Sequence, residues 1–509
     1  MPPPSSPWNV VIKEALVSAP SRTSPPTPAD TTHIDIDDPV LLRIAALAAQ
    51  HQVPAWVVGG YVRDARMGRP RKDIDITVDG DALHFANIVG KVFGCTPVIY
   101  ERFRTALVPI GTHHVEFVGT RKEVYDEGSR KPRVVQGTFE DDLRRRDFTV
   151  NAMAASLHPD HLGEVVDMFG GIADLERRVL RTPLDPIVTM SDDPLRMMRA
   201  ARFAAQLQFD VDTSTLEAIT SMADRISIVS QERISDEFLK ILAAPRPSVG
   251  LAILFRTGLL AHILPEIHAL AGVDLVKVGN REFAHKDVFW HTLQVVDNVS
   301  AVSENVWLRF ATLMHDVAKP RTKKFVQGAG WTFHGHEEVG ARWQERIFRR
   351  LKLPLQHLEY VRTLVRLHQR PMTLVDDGIT DSAIRRLAVQ AGDAIEDLFL
   401  LCKADVTTRN PKRAEKYVRN YDIVRDKVLD VQQRDHLRAF QSPVRGEEIM
   451  ELTGLPPSRI VGYLKWRLEE DILDGKVANE HDVALQHLVA HLNEWLAAAE
   501  TASFGRRGG

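Results

Sequence analysis

A chain of 509 residues is longer than one ordinary domain and predicts three or four. Its net charge of −3 and pI near 6.7 argue against indiscriminate coating of nucleic acid, although a local basic groove remains compatible with both. Only two cysteines, Cys95 and Cys402, exclude a disulfide framework or a cysteine-rich zinc site; with no signal-peptide core after Met1 and no bilayer-length apolar run, a soluble cytoplasmic protein is expected.

Residues 1–38, rich in Pro, Ser and Thr, read as a flexible leader in which Trp8–Ile12 is the one segment suited to docking. A helix is expected from Pro39, on the spacing of Leu41, Leu42, Ile44, Ala45 and Leu47. The run Trp56-Val57-Val58 then enters Gly59-Gly60, a helical stretch carries Arg63-Asp64, and a strand holds Asp73-Ile74-Asp75-Ile76-Thr77-Val78. Residues two apart on a strand share a face, so Asp73 and Asp75 project together while Ile74 and Ile76 enter the core. Aligned carboxylates beside a glycine turn suit Mg²⁺ and a nucleoside triphosphate. A lone Asp-x-Asp is more often a solvated strand end; its order with Gly-Gly and Arg63 gives it weight. Gly59 and Gly60 let backbone N–H groups approach phosphate, and Arg63 adds a charge.

Strand-like runs follow at 97–100, 105–110, 114–118 and 163–167, which predicts an α/β head over residues 39–182. Glu116, on one of these runs, is either a third carboxylate or an ordinary strand charge. The charged run Asp141–Asp147 passes directly into apolar residues, which places several of its charges at the edge of the core. Gly170-Gly171 is a hinge or a plain turn.

Beyond Asp185 the spacing is helical throughout: a neck over 183–250, a body over 251–440, and a tail over 441–509 whose Gly-Arg end frays. At Ser191-Asp192-Asp193-Pro194-Leu195-Arg196, Asp193 either caps a helix or, with Arg196 on the same face, reads a base edge. Such a pair accepts the exocyclic amine of C or A and donates to its ring acceptors, and it mismatches the carbonyls of U and G. In the body, His291, His315-Asp316, His336, His368 and Asp405 are either satisfied core side chains or, as adjacent His-Asp with further His and Asp at helix-like intervals suggests, residues of the types that suit divalent transition metals. Two basic clusters, Arg342/Arg346/Arg349/Arg350/Lys352 and Lys412/Arg413/Lys416/Arg419/Arg425/Lys427, are either solvated helix faces or grips for RNA phosphates.

These motifs, together with Asp167–Leu175 and Glu232–Leu242, occur in an order that resembles the class II nucleotidyltransferases, the family of CCA-adding enzymes and bacterial poly(A) polymerases. The resemblance implies an α+β protein: a small polymerase-β-like α/β head, then a largely helical neck, body and tail. It implies that Asp73 and Asp75 are catalytic and hold two Mg²⁺ ions. It gives Gly59, Gly60, Arg63, Arg145, Arg146, Asp147 and Asn151 to the nucleotide's phosphates and sugar, and Asp193 and Arg196 to its base. The family's Glu-Asp-x-x-Arg begins here with Asp192, which leaves the two base-reading positions intact. Arg233 and Glu237 would buttress the neck.

The histidine set resembles the HD superfamily of metal-dependent phosphohydrolases, with Lys319 at the lysine of that motif. It implies His291, His315, Asp316 and Asp405 as ligands, with His336 and His368 completing a two-metal site for Mn²⁺, Ni²⁺ or Co²⁺. The implied function is untemplated addition of C, C and A to the tRNA 3′ acceptor end from CTP and ATP, beside hydrolysis of RNA 3′-phosphates or 2′,3′-cyclic phosphates. The rivals are a poly(A) polymerase, a CC-only or A-only enzyme, and an HD phosphohydrolase whose head merely binds RNA. Intact Asp73 and Asp75 speak against the last.

Overall fold

In the computed structural model, Asp38 opens the first helix, α1 (Pro39–Gln50), by accepting from the Val40 N–H, and Pro39 at the first turn has no N–H to leave unpaired. The structure describes residues 32–71, 73–101, 104–124, 133–273, 275–278, 281–284, 287–327, 330–376, 380–408, 410–435 and 442–501. Most of the expected leader, with Trp8–Ile12, and the Gly-Arg tail therefore lie outside the described residues. The chain divides into two units, one holding residues up to 177 with 181–183, the other holding 178–180 and everything from 184.

The first unit is built on a seven-stranded sheet. Its strands are β1 (Ala55–Val58), β2 (Ile74–Val78), β3 (Val98–Tyr100), β4 (Thr105–Ile110), β5 (His113–Gly119), β6 (Met153–Ser156) and β7 (Val165–Asp167), in the spatial order β3-β4-β5-β2-β1-β6-β7. Only β2 and β5 run parallel. Alternation sends Ile74, Ile76 and Val78 of β2, with Val115 and Phe117 of β5, into one core against α1, α2 (Gly60–Arg66) and α3 (Ala82–Phe93). On the opposite face a smaller cluster forms from Val58, Leu143 and Ala154, flanked by Trp56 stacked on Phe139 at 4.1 Å. That cluster seats α4 (Phe139–Arg144), whose start is fixed by a reciprocal capping box between Thr138 and Asp141, a device contributing about 1 kcal/mol.

The strand expected from Asp73 begins one residue later, at Ile74. The strand β6 was not expected at all. Gly171 is closely packed: a Cβ there would lie 2.3 Å from the Thr149 carbonyl, and Asp167 accepts from the N–H groups of Phe169, Gly171 and Ile172.

The second unit is helical apart from short strand pairs, so the α+β class holds for the chain. Residues 178–180 join it because Val179–Leu180 pairs in parallel with Asp210–Val211. Its first part includes α5 (Leu195–Leu207) and α6 (Gln231–Leu242), tied by buried Glu237, which meets Arg202 at 3.1 Å and Lys240 at 3.4 Å. Further on, α7 (Val288–Ser300), α8 (Val306–Met314), α9 (His336–Arg350), α10 (Leu358–Leu367) and α11 (Ile395–Ala404) pack around Phe289, Phe310, Phe348 and Phe399. Arg309 on α8 donates to the carbonyls of Leu242 at 2.8 Å and Ala244 at 3.0 Å, filling acceptors that the end of α6 leaves open. Among the described residues, no helix is long and apolar enough to cross a membrane.

Candidate active site and metal centre

Three carboxylates gather on the site face of the sheet. Asp75 on β2 stands directly opposite Glu116 on β5, and Asp73 precedes the strand. Burial holds Asp75 above the usual carboxylate range, and Asp73 adds to this while Arg146 opposes it. Burial also raises Glu116, and the Asp75 charge raises it further. Mutually repelling acids, half-buried at Asp75 and Glu116 and exposed at Asp73, are a donor set that a hard divalent cation relieves, so these residues fit bound metal. Glu116 thus stands beside the pair, where a strand charge of no further consequence was the commoner expectation.

The arginines of the second motif are held in place by an acid the sequence reading passed over. Asp142, on α4 and fully buried, accepts from Arg145 Nε at 3.0 Å, lies 3.4 Å from Arg146 Nη2, and accepts from the Thr77 hydroxyl at 3.0 Å. Burial works against its ionisation, yet the two guanidinium groups keep its carboxyl below the ordinary range. Its spacing of three and four residues from Arg145 and Arg146 on one helix face was the available signal. Arg146 in turn lies against Gly59: at φ +66°, a Cβ there would stand 2.7 Å from Nη1. The Gly59 N–H donates to the Met153 carbonyl at 2.9 Å, so it is not offered to phosphate as the sequence suggested.

Arg63 is buried and committed. It makes a bidentate pair with Asp64 at 2.9 Å and donates to Asn151 Oδ1 at 2.6 Å, engaging three of the five N–H groups a guanidinium has. Asn151 donates to Asp147 at 3.0 Å, and Asp147 also accepts from the Phe148 N–H. Arg146 Nη1 lies 3.4 Å from the Asn151 carbonyl and the Arg63 backbone N–H donates to the Gly59 carbonyl at 3.1 Å, so Gly59, Arg63, Arg145, Arg146, Asp147 and Asn151 form one hydrogen-bonded group near Asp75.

In the neck, Asp193 and Arg196 share the start of α5. One oxygen of Asp193 accepts from the Leu195 N–H at 3.1 Å, and the other meets Arg233 at 2.8 Å. Arg196 donates to the Thr189 carbonyl at 3.0 Å. Capping is thus one of the tasks of Asp193.

The body brings all six expected ligands together as two triads, His291/His315/Asp405 and Asp316/His336/His368. Asp316 reaches both. Its Oδ2 lies 3.2 Å from His315 Nε2 and 4.0 Å from His291 Nε2, and its Oδ1 lies 3.2 Å from His336 Nε2 and 3.8 Å from His368 Nε2. Ligand atoms about 2 Å from one ion stand roughly 3–3.5 Å from each other, close to these separations. His315 Nε2 and Asp316 Oδ1 are buried and, although close to neighbouring ligand groups, make no well-aligned hydrogen bond, which fits atoms placed to face a shared ion.

Each imidazole is aimed by its far nitrogen. The Nδ1 atoms of His315, His336 and His368 meet the carbonyls of Thr312, Phe333 and Val365, three residues earlier in each case. His291 Nδ1 meets the Thr407 hydroxyl at 2.9 Å instead. Anchoring Nδ1 leaves Nε2 for metal. Against the cost of burial, Asp316 and Asp405 push His315 up to about 9, whereas burial and the neighbouring His315 pull His368 down to about 3. Lys319 caps the group, its Nζ 2.6 Å from Asp316 Oδ2.

The two basic clusters separate. Arg346 and Arg350 face Glu266, Arg349 faces Glu345 and Lys352 faces Glu232. On the helix α12 (Pro411–Asp435), Lys412, Arg413, Lys416 and Arg419 are exposed and make no ion pair among the described residues, whereas Arg425 is paired with Asp426.

Family models match the poly A polymerase head domain at residues 55–181, the probable RNA- and SrmB-binding site of polymerase A at 208–270, and the HD domain at 288–410. The chain is 34% identical over 437 residues to the A-adding tRNA nucleotidyltransferase of Deinococcus radiodurans, covering 84% of this chain and 93% of that one. It is 32% identical over 395 residues to the multifunctional CCA protein of Pseudomonas aeruginosa, covering 75% and 87% respectively. The fold is similar to that of the Bacillus stearothermophilus CCA-adding enzyme solved in complex with CTP, with a TM-score of 0.59 at 24% identity over 91% of this chain and 100% of that one.

Proposed function

We propose that this chain, which belongs to the tRNA nucleotidyltransferase and poly(A) polymerase family, adds C, C and A in turn to tRNA 3′ ends from CTP and ATP. The observation that carries the reading is the opposition of Asp75 and Glu116, with Asp73 adjacent and the Arg146 charge near enough to act on Asp75. Asp73, Asp75 and Glu116 would hold two Mg²⁺ ions. When bound, such ions make a hydroxyl a better nucleophile and offset the charge of a departing pyrophosphate.

The chain's own residues do the positioning. The RNA 3′-oxygen bonds to the α-phosphorus of the nucleotide, the bond to pyrophosphate breaks, and the hydroxyl proton leaves to solvent. Arg145 and Arg146, held by Asp142, meet the triphosphate and sugar with little reorganisation. Arg63 acts largely through Asn151 and Asp64, holding the group that receives the nucleotide. Asp193 and Arg196 would read the base, with the Arg233 contact setting which way the Asp193 carboxylate points. Such an enzyme works where tRNA is, in the cytoplasm.

The test supplies Mg²⁺, CTP and ATP, singly and together, with tRNA lacking all, one or none of its terminal C-C-A. Growth by only the missing residues supports the proposal, and long A tails on unrelated RNA point to a poly(A) polymerase. A second reading, addition of the last A alone, is favoured by the A-adding relative, matched over 93% of its length. It predicts no growth of tRNA lacking all three residues.

For the body we read a phosphohydrolase that opens 2′,3′-cyclic phosphates or removes 3′-phosphates from RNA ends, with Mn²⁺, Ni²⁺ or Co²⁺ in the two triads. The support is four imidazole Nε2 atoms converging on one buried carboxylate. If purified protein loaded with these metals leaves both substrates intact, the centre is structural.

A further inference from the structure

We infer that the hairpin inserted in the chain between ligands of the histidine centre is a stacking platform for the single-stranded 3′ end of RNA, a surface that deepens the phosphohydrolase reading and rests on it. The hairpin joins Lys324–Val326 to Gly330–Thr332 and interrupts the ligand set, following His315-Asp316 and Lys319 and preceding His336. Phe325 and Trp331 are cross-strand partners with ring centroids 5.4 Å apart at 74°. Both are exposed, Phe325 by 65% and Trp331 by 42%, and Val326 beside them by 44%. Two aromatic rings on one short ribbon cost hydration unless something covers them.

Charge selects the occupant. From Lys319 to Phe333 the chain carries Lys319, Arg321, Lys323 and Lys324 and no Asp or Glu. Lys323 Nζ lies 4.6 Å from the Trp331 ring centroid, and Lys319 Nζ, 5.7 Å from that of Phe333, reaches Asp316 at the centre itself. A partner must therefore present flat apolar faces, repeated negative charge and a terminus for the metal-binding group. Unpaired nucleotides do all three: bases stack on aromatic rings irrespective of sequence, and phosphates pair with the intervening cations. A duplex would keep its bases stacked on one another and leave both rings bare.

The test uses the full chain and an RNA pentamer ending in a 3′-phosphate, with 2-aminopurine as its penultimate base. In chelator, so that nothing turns over, binding should quench the 2-aminopurine. Phe325→Ala/Trp331→Ala should weaken binding at least tenfold and abolish the quench, while Phe325→Tyr keeps both. With Mn²⁺, the double variant should lose turnover of the pentamer at low concentration yet hydrolyse bis(p-nitrophenyl) phosphate and extend tRNA as the wild type does. An unchanged affinity and quench overturn the platform, as does a double variant whose only change is weaker self-association or vesicle binding. Failure of the wild type to hydrolyse either substrate overturns the phosphohydrolase reading alone, since binding in chelator is scored separately.

Discussion

In the head, the cations beside the strand carboxylates are held by other charges, whereas in the body the imidazoles are held by neutral carbonyls and one hydroxyl. Arg145 and Arg146 depend on buried Asp142, and Arg63 on Asp64 and Asn151. His315, His336 and His368 depend on the carbonyl three residues before each. The head should therefore lose fold and function together when its network is cut. The body should lose metal while keeping more of its fold, because replacing a ligand removes one bond to a neutral carbonyl or hydroxyl and leaves no buried guanidinium without its partner.

The largest effect expected is on catalysis in the head. Asp75→Ala should lower nucleotide incorporation by about 10³-fold or more, the worth of several kcal/mol of metal-borne charge stabilisation, and leave phosphohydrolysis by the body within twofold. Incorporation equal to the wild type would sink the proposed function. Asp316→Asn should remove both ions at once from the body, read as metal content after gel filtration, with incorporation unaffected. One ion retained at full occupancy would show that the carboxylate is not shared.

Asp142→Asn should cost about 3 kcal/mol at neutral pH, because two guanidinium groups lose their buried partner; denaturant unfolding of the head measures it. The sign of its pH dependence follows from a folded-state pKa below the unfolded value: the stabilisation is present above the ordinary carboxylate range and lost as pH falls through the lowered value. The gap between variant and wild type should close in acid. A gap that widens there contradicts the assignment.

Gly59→Ala meets both a left-handed φ and Arg146 Nη1, so incorporation should fall roughly tenfold through KM for the nucleotide, with the fold retained. The smallest effect concerns RNA. Lys416→Glu with Arg419→Glu should raise KM for tRNA about threefold at low salt and less at high salt, because their charges are uncommitted. Arg349→Glu, already paired with Glu345, is the control expected to do nothing.

Much of this was legible residue by residue. The β-branched alternation of Ile74, Ile76 and Val78 announced a strand with one buried face, and α1 announced itself by its apolar spacing. Strand β6 stayed hidden because Met-Ala-Ala-Ser has little β propensity and is buried on both faces, so no alternation marks it. The histidines were legible as a set because each sits near a helix end, though their pairing into two triads depends on packing between helices. Asp142 was hidden by its neighbours: within a run of charges, only the fold decides which one is interior. Thr407 carried no signal, being a hydroxyl whose importance comes from the ring it touches across 116 positions of chain.

The position of Asp316 between the triads has a consequence for how such a protein changes over time. Replacement of any one histidine spoils half of the centre and leaves the other half to be repaired or reused. Replacement of this single acid would disable both triads in one step, making it the residue by which a descendant would shed the phosphohydrolysis proposed for the body while keeping nucleotide transfer in the head.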